Sequence, residues 1–382
     1  MFASDQKRLL ALDGGGILGL ISLQILKKIE DDLKAGVPNP QAFRLRDYFD
    51  YIGGTSTGAI MATGLALGWS VDDLIRFYEK HGSKMFTRAW LWNKPFHKYT
   101  AGPLSKLLRE QIGEETILQL QQSGRLSTDK HLLIVTHNLS TDSPWPLSTN
   151  PKAKYNVEDH PECNRKIPLW QLVRASAAAP TYFPPQDIEL PRGVRKFEDG
   201  GVTPYNNPAL LLHRMATLSA YRCEWPDGEA RMMIVSVGAG CSVTPQPGLR
   251  NAGRHLISNA ESIPTGLMQR ISDENDIKCR TVGRCVFGAP IDSELGDLMY
   301  PMDKHPEDLG RRFLYARYNP ILTKKGLADL RLTHLEHHSF EIDNVSPEQL
   351  QVLTTVGKKY AELVDIAGQF PSFVAEPQGK AA

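Results

Sequence analysis

A chain of 382 residues has room for one large α/β domain with an extension, or for two or three domains of ~100–200 residues each. Hydrophobic residues make up 41% and charged residues 23%, which excludes disorder over most of the chain and allows a large core without disulfides or metal. Lys and Arg number 44 and Asp and Glu 43, so the net charge of +1 excludes a global field for nucleic acid or an anionic membrane and leaves only local patches.

In chain order, residues 8–13 (RLLALD) form a short apolar run that enters Asp13-Gly14-Gly15-Gly16, the pattern of a buried strand ending in a tight turn. Ile17, Leu20, Leu23, Leu26, Ile29 and Leu33 follow at helical spacing, and Gly36 and Pro38 end that helix. A second strand is predicted over 47–53, with helices over 57–68 and 71–85. Residues 86–102 read as an aromatic and basic loop, and 103–120 return to helix. Strands at 131–136, 195–197 and 232–237 and a helix at 166–179 complete an alternation that argues a mostly parallel sheet covered on both faces. After about residue 245 the pattern is loops and helices, the last helix at 347–367, and a Pro/Gly-rich tail starts near 371.

Five cysteines stand at 163, 223, 241, 279 and 285 without a CxxC pair, which argues against a zinc site and for reduced thiols. The N-terminus lacks an apolar signal-type core, and the most apolar stretch, 60–69, is broken by Thr63, Gly64 and Gly68. The expectation is a soluble, cytoplasmic protein.

Gly54-Thr55-Ser56-Thr57-Gly58 matches GxSxG between an apolar strand and an apolar helix. In that setting the serine is forced into a strained turn with its hydroxyl at the sheet edge and the helix N-terminus behind it, so Ser56 is the candidate nucleophile. Gly14, Gly16 and Gly19 match GxGxxG between a strand and a helix. That turn is a dinucleotide fingerprint in form, but its backbone amides equally make an anion nest and, in an acyl hydrolase, an oxyanion hole. The next strand runs into Gly53-Gly54-Thr55-Ser56 where a dinucleotide site wants an acidic residue, which ranks the oxyanion reading first. For a base, His131, His137, His334, His337 and His338 have no telling context, whereas Asp199 in Glu198-Asp199-Gly200-Gly201 ends a strand at a glycine turn. A carboxylate there serves as general base if burial raises its pKa; the plain alternative is an ordinary turn.

Together the glycine turn at 13–19, the GTSTG elbow at 54–58, the segment Arg174 to Pro185 (RASAAAPTYFPP) and the DGG turn at 199–201 resemble the patatin-like phospholipases over roughly residues 8–240. The resemblance implies a three-layer α/β/α sandwich with a mostly parallel central sheet and a helical C-terminal extension. It implies a catalytic domain at 8–240, an extension at 241–370 with a regulatory role, and a flexible tail at 371–382. It further implies a Ser56–Asp199 dyad, an oxyanion hole of Gly14, Gly15 and Gly16, motif support from Gly19, Gly54, Gly58, Gly200 and Gly201, and no cofactor or metal. The expected activity is release of fatty acids from membrane glycerophospholipids through an acyl-enzyme, with peripheral membrane contact, no nucleic-acid partner and the oligomeric state open. Some bacterial members act in antiviral defence and are switched on by cyclic dinucleotides, and this chain is similar in its long extension, so a cyclic dinucleotide is a candidate activator. Residues 250–317 contain ten basic and ten acidic residues, which reads as a solvated mixed surface. Residues 85–99 hold five aromatics besides histidine among basic residues, the composition of a lid or interfacial patch or of core packing. A lipid or ester hydrolase without nucleotide control, a Ser-His-Asp esterase and a non-catalytic nucleotide-binding protein remain the alternatives.

Overall fold

The computed structural model describes residues 5–85, 97–241, 256–292, 294–299 and 310–374, with backbone alone over 256–265. Among these residues the strands are β1 (Lys7–Leu12), β2 (Tyr51–Thr55), β3 (His131–Asn138), β4 (Ser143–Ser148), β5 (Gln186–Leu190), β6 (Gly193–Asp199), β7 (Met232–Val237), β8 (Arg284–Phe287) and β9 (Leu314–Tyr318). The helices are α1 (Gly19–Ala35), α2 (Leu45–Tyr48), α3 (Thr57–Ala66), α4 (Val71–Met85), α5 (Ala101–Ile112), α6 (Ile117–Gln122), α7 (Leu169–Ser176), α8 (Ala209–Thr217), α9 (Leu256–Val282), α10 (Lys324–Asp329), α11 (Pro347–Ala361) and α12 (Ile366–Gln369). No helix among the described residues is long and apolar enough to cross a membrane.

The strands form one sheet in the order β5-β6-β3-β2-β1-β7-β9-β8, with β4 also on β3. The run from β3 to β8 is parallel, and β4, β5 and β6 add an antiparallel end. Side chains alternate across β1 as a pleated strand requires. Leu10 and Leu12 join one core with α1, α3 and α11, while Leu9 and Ala11 join a second with α8 and Cys279 of α9. Covering both faces in this way is the three-layer α/β/α arrangement.

The register at β3 positions the rest of the molecule. β4 pairs with Leu133 through Asn138 along one edge of β3. The other edge is shared: β2 pairs as far as Thr55 opposite Val135, and β6 begins with Asp199 opposite Thr136. β2 runs parallel to β3 and β6 antiparallel, so the C-terminal ends of the two strands meet head to head.

Several expectations are corrected. The strand expected at 47–53 is split into α2 and a later β2, and the helix expected over 103–120 breaks into α5 and α6 at Gly113, whose φ is +99°. The hairpin partner β4 carries Pro144 and Pro146, which weaken a strand signal but are tolerated on an edge. The C-terminal part is not only loops and helices: β8 and β9 extend the main sheet beyond β7. Arg280, Arg284, Arg311 and Arg317, expected on a solvated surface, are buried.

Arg317 explains why β9 escapes a hydropathy reading. It interrupts the run Leu314–Tyr318, yet is only 3% exposed, because its guanidinium binds both oxygens of Asp13 at 2.8 and 2.6 Å and donates to Ser236 Oγ at 2.9 Å. Burial pushes the Asp13 carboxyl up and Arg317 pulls it back toward ionisation. Removing one partner of such a pair strands a buried charge at a cost of about 3–5 kcal/mol. Arg317→Met should therefore lower the urea midpoint strongly, and adding Asp13→Asn should recover most of the loss. An unchanged midpoint for the single variant would show that the pair contributes nothing.

Candidate active site

Ser56 sits in the turn between β2 and α3 at φ 55° and ψ −123°, a conformation that L residues adopt only under strain. The surroundings enforce it. A Cβ on Gly54 would lie 2.0 Å from the Gly58 carbonyl oxygen, and one on Gly58 would lie 2.2 Å from that of Leu12, so neither position accepts a side chain. The Ser56 N–H donates to Ser176 Oγ at 2.9 Å, and Ser176 in turn donates to the Val135 carbonyl at 2.7 Å, which fixes the elbow from α7. Thr57 Oγ1 and the buried Tyr78 hydroxyl share a short hydrogen bond on the far side.

The meeting of strand ends brings Ser56 Oγ to 2.6 Å from Asp199 Oδ2. Asp199 Oδ1 accepts the Gly201 N–H at 2.7 Å. The carboxylate is 1% exposed. Burial raises its pKa to about 7 against the Ser56 and Gly201 hydrogen bonds. Arg174, fully buried on α7 with its guanidinium over the Phe183 ring, also pulls the Asp199 pKa down. Gly200 packs where a Cβ would meet the Val135 carbonyl oxygen at 2.3 Å, which lets the turn close against β3.

The triple-glycine turn lies beside this pair. The Gly14 N–H donates to the Asn206 carbonyl at 3.3 Å. That bond engages Gly14, one of the three amides expected to face an oxyanion, while Gly15 and Gly16 precede or open the first turn of helix, where N–H groups lack an intrahelical acceptor. Gly19 opens α1 against Thr57. Ile342, from the segment before α11, closes over the turn, its carbonyl accepting the Ile17 N–H at 2.8 Å.

Ser56, Asp199 and Gly14 to Gly16 face one cavity whose walls are otherwise mainly apolar, with Leu18, Ile60, Met85, Leu104, Phe183 and Met268 among them. No histidine among the described residues lines it. His131 stacks on Trp225 and burial lowers its pKa to about 4; His137 bonds Glu198 at 2.8 Å; His337 and His338 pair with Glu336 and Gln349. Among the described residues no three His, Cys, Asp or Glu side chains cluster as metal ligands would. Of the aromatic segment 85–99, residues 86–96 lie outside the described residues; Met85 lines the cavity and the Tyr99 hydroxyl donates to Asp343 at 2.6 Å.

The family model of patatin-like phospholipases matches residues 10–213, more than half of the chain, from within β1 to within α8. The chain belongs to the patatin-like phospholipase family. Patatin-T5 of Solanum tuberosum is 32% identical over 220 residues, 54% of this chain and 52% of that protein. The cGAMP-activated phospholipase of Vibrio cholerae is 33% identical over 230 residues, 55% of this chain and 58% of that one. Calcium-independent phospholipase A2-gamma of Mus musculus is 26% identical over 366 residues, which is 94% of this chain and 39% of the mouse protein. The chain spans about half the length of the curated relatives it matches. Arg317, the brace of the glycine turn, lies beyond the segment matched by the family model.

A carboxyl whose pKa is raised by folding makes the protein less stable as pH rises, because between about 4 and 7 the folded chain holds a proton that the unfolded chain has released. Asp199→Asn keeps one acceptor and removes that penalty. Its melting temperature should exceed the wild-type value by more at pH 8 than at pH 5; an equal difference at the two pH values would contradict the raised pKa.

Proposed function

We propose that this protein is a lipid acyl hydrolase in which Ser56 is the nucleophile and Asp199 its base. The observation that carries the reading is the 2.6 Å contact between Ser56 Oγ and Asp199 Oδ2 at the wall of an apolar cavity. In this reading the acyl chain lies along the apolar wall and the ester carbonyl faces the glycine turn. Asp199 takes the Ser56 proton as Oγ adds to the carbonyl carbon. The Gly15 and Gly16 N–H groups receive the developing oxyanion, an interaction of which one donor is typically worth ~3 kcal/mol. Collapse of the intermediate expels the alcohol with the proton from Asp199 and leaves an acyl-Ser56 ester. Water then reverses the sequence and releases the fatty acid. A base of pKa about 7 is matched to this exchange near neutrality, and an alcohol is an easier leaving group than an amine for a carboxyl acid of that strength. Membrane glycerophospholipids, met from the bilayer surface, are the proposed substrates.

The similarity to a relative named for activation by cGAMP supports a finer reading: a cyclic dinucleotide switches the enzyme on, and its product is degradation of the cell's own membrane in antiviral defence. Residues 8–240 then carry the chemistry and 241–370 the control, with Arg317 to Asp13 as the contact that joins them.

Incubation with mixed phospholipids, with and without a panel of cyclic dinucleotides, should release fatty acid detected by mass. Ser56→Ala and Asp199→Asn should each reduce the rate by on the order of a thousandfold or more. Wild-type kcat/KM should rise with pH and level off above about 7. Full activity in either variant would refute the dyad, and a rate indifferent to every nucleotide would remove the switch alone.

A further inference from the structure

Asn206 lies seven residues past Asp199, and its backbone is clamped to the site. Its carbonyl accepts the Gly14 N–H at 3.3 Å, and the preceding Tyr205 carbonyl accepts Thr55 Oγ1 at 2.7 Å. The side chain is 4% exposed and lines the same cavity as Ser56 and Asp199. Its Nδ2 donates to Ser272 Oγ on α9 at 2.9 Å, while Oδ1 has no hydrogen-bond partner among the described residues. A Cβ built on Gly14 would touch Asn206 Oδ1 at 2.4 Å and Ser56 Cβ at 3.1 Å; one built on Gly201 would touch Asn206 Oδ1 at 3.0 Å and Asp199 Oδ1 at 3.1 Å. Asn206 Oδ1 therefore lies close to the Ser56 side chain across the Gly14 position and to the Asp199 carboxylate across the Gly201 position. A buried amide oxygen left without a donor costs free energy, so a donor is expected to reach it during the catalytic cycle.

We propose that Asn206 Oδ1 holds the water that hydrolyses the acyl-enzyme. The inference rests on the Ser56–Asp199 reading above. Once Ser56 is acylated its proton is gone, and Asp199 Oδ2 is free to accept a new O–H. Water brings two. One O–H donates to Asp199 and the other to Asn206 Oδ1, and two acceptors at fixed positions aim the oxygen lone pair at the acyl carbon. As the new C–O bond forms, Asp199 takes the first proton. As the C–Oγ bond breaks, that proton passes to Ser56 Oγ and the fatty acid leaves with the second O–H. An alcohol has only one O–H, which Asp199 takes, so an alcohol acceptor does not need Asn206.

That difference supplies the test. The enzyme is given p-nitrophenyl butyrate in buffer containing methanol, and butyric acid and methyl butyrate are quantified together. Both arise from one acyl-enzyme, so their ratio does not depend on how much of a variant folds. Asn206→Leu and Asn206→Ala should shift the ratio about tenfold toward the methyl ester, the loss expected for one hydrogen bond to water. Asn206→Asp, which keeps an acceptor, and Ser272→Ala, which removes only the tether to α9, should leave the ratio near wild type. An unchanged ratio in Asn206→Leu and Asn206→Ala would overturn the proposal, as would an equal shift in Ser272→Ala. Product formation that persists in Ser56→Ala would instead remove the acyl-enzyme reading beneath it.

Discussion

The hydrogen bond between Ser56 and Asp199 is a consequence of how two strands share one edge of a third. β2 stops opposite Val135 and β6 stops opposite Thr136, approaching from opposite directions. The chain must leave β2 at once, and it does so through a residue at positive φ, which turns the Ser56 hydroxyl toward the end of β6. Close approach at Gly54 and Gly58 is what lets α3 start immediately behind it. Move the register of either strand by one residue and the side-chain faces exchange, so the serine and the carboxylate part.

The same placement creates the chemistry. Asp199 is buried with two hydrogen-bond donors on its oxygens among the described residues, and burial outweighs them, which lifts the carboxyl to about 7. A more solvated carboxylate would be a weaker base, and one paired with a near cation would be weaker still. Asp13 meets a different partner. It too is buried, but Arg317 grips both of its oxygens and holds the turn that presents Gly15 and Gly16. One buried carboxylate accepts from the serine hydroxyl, while the one at the end of β1 is gripped by a guanidinium that pulls it back toward ionisation against its own burial. The brace comes from the C-terminal strand β9, so the extension is part of the site's foundation and not an appendage to it.

What could be read from the sequence follows how local each constraint is. The elbow leaves its mark on five adjacent residues, because lack of space at positions 54 and 58 and strain at 56 are all imposed within one turn. The Asp-Gly-Gly turn is also local, but only its company with the other motifs separates it from any surface turn. Arg317 was invisible as a site residue, since its partner is 304 positions away and a charge inside a short apolar run reads as a break in a strand. Asn206 and Ser176 were invisible for a related reason: each acts through a hydrogen bond to a distant backbone or side chain, and neither residue type is unusual where it stands. β4 and β5 leave little trace in the sequence, because a proline-containing edge strand and a short, half-exposed strand carry little hydrophobic pattern.

The central claim is that the hydroxyl at 56 becomes the covalent carrier of the acyl group. Quenching the protein in acid during turnover of a phospholipid and sequencing its peptides by mass spectrometry tests this directly. The account predicts one fatty-acyl adduct, on the peptide and residue of Ser56, that disappears when turnover is allowed to finish. Fatty acid release with no adduct there, or with the adduct on another residue, would contradict it.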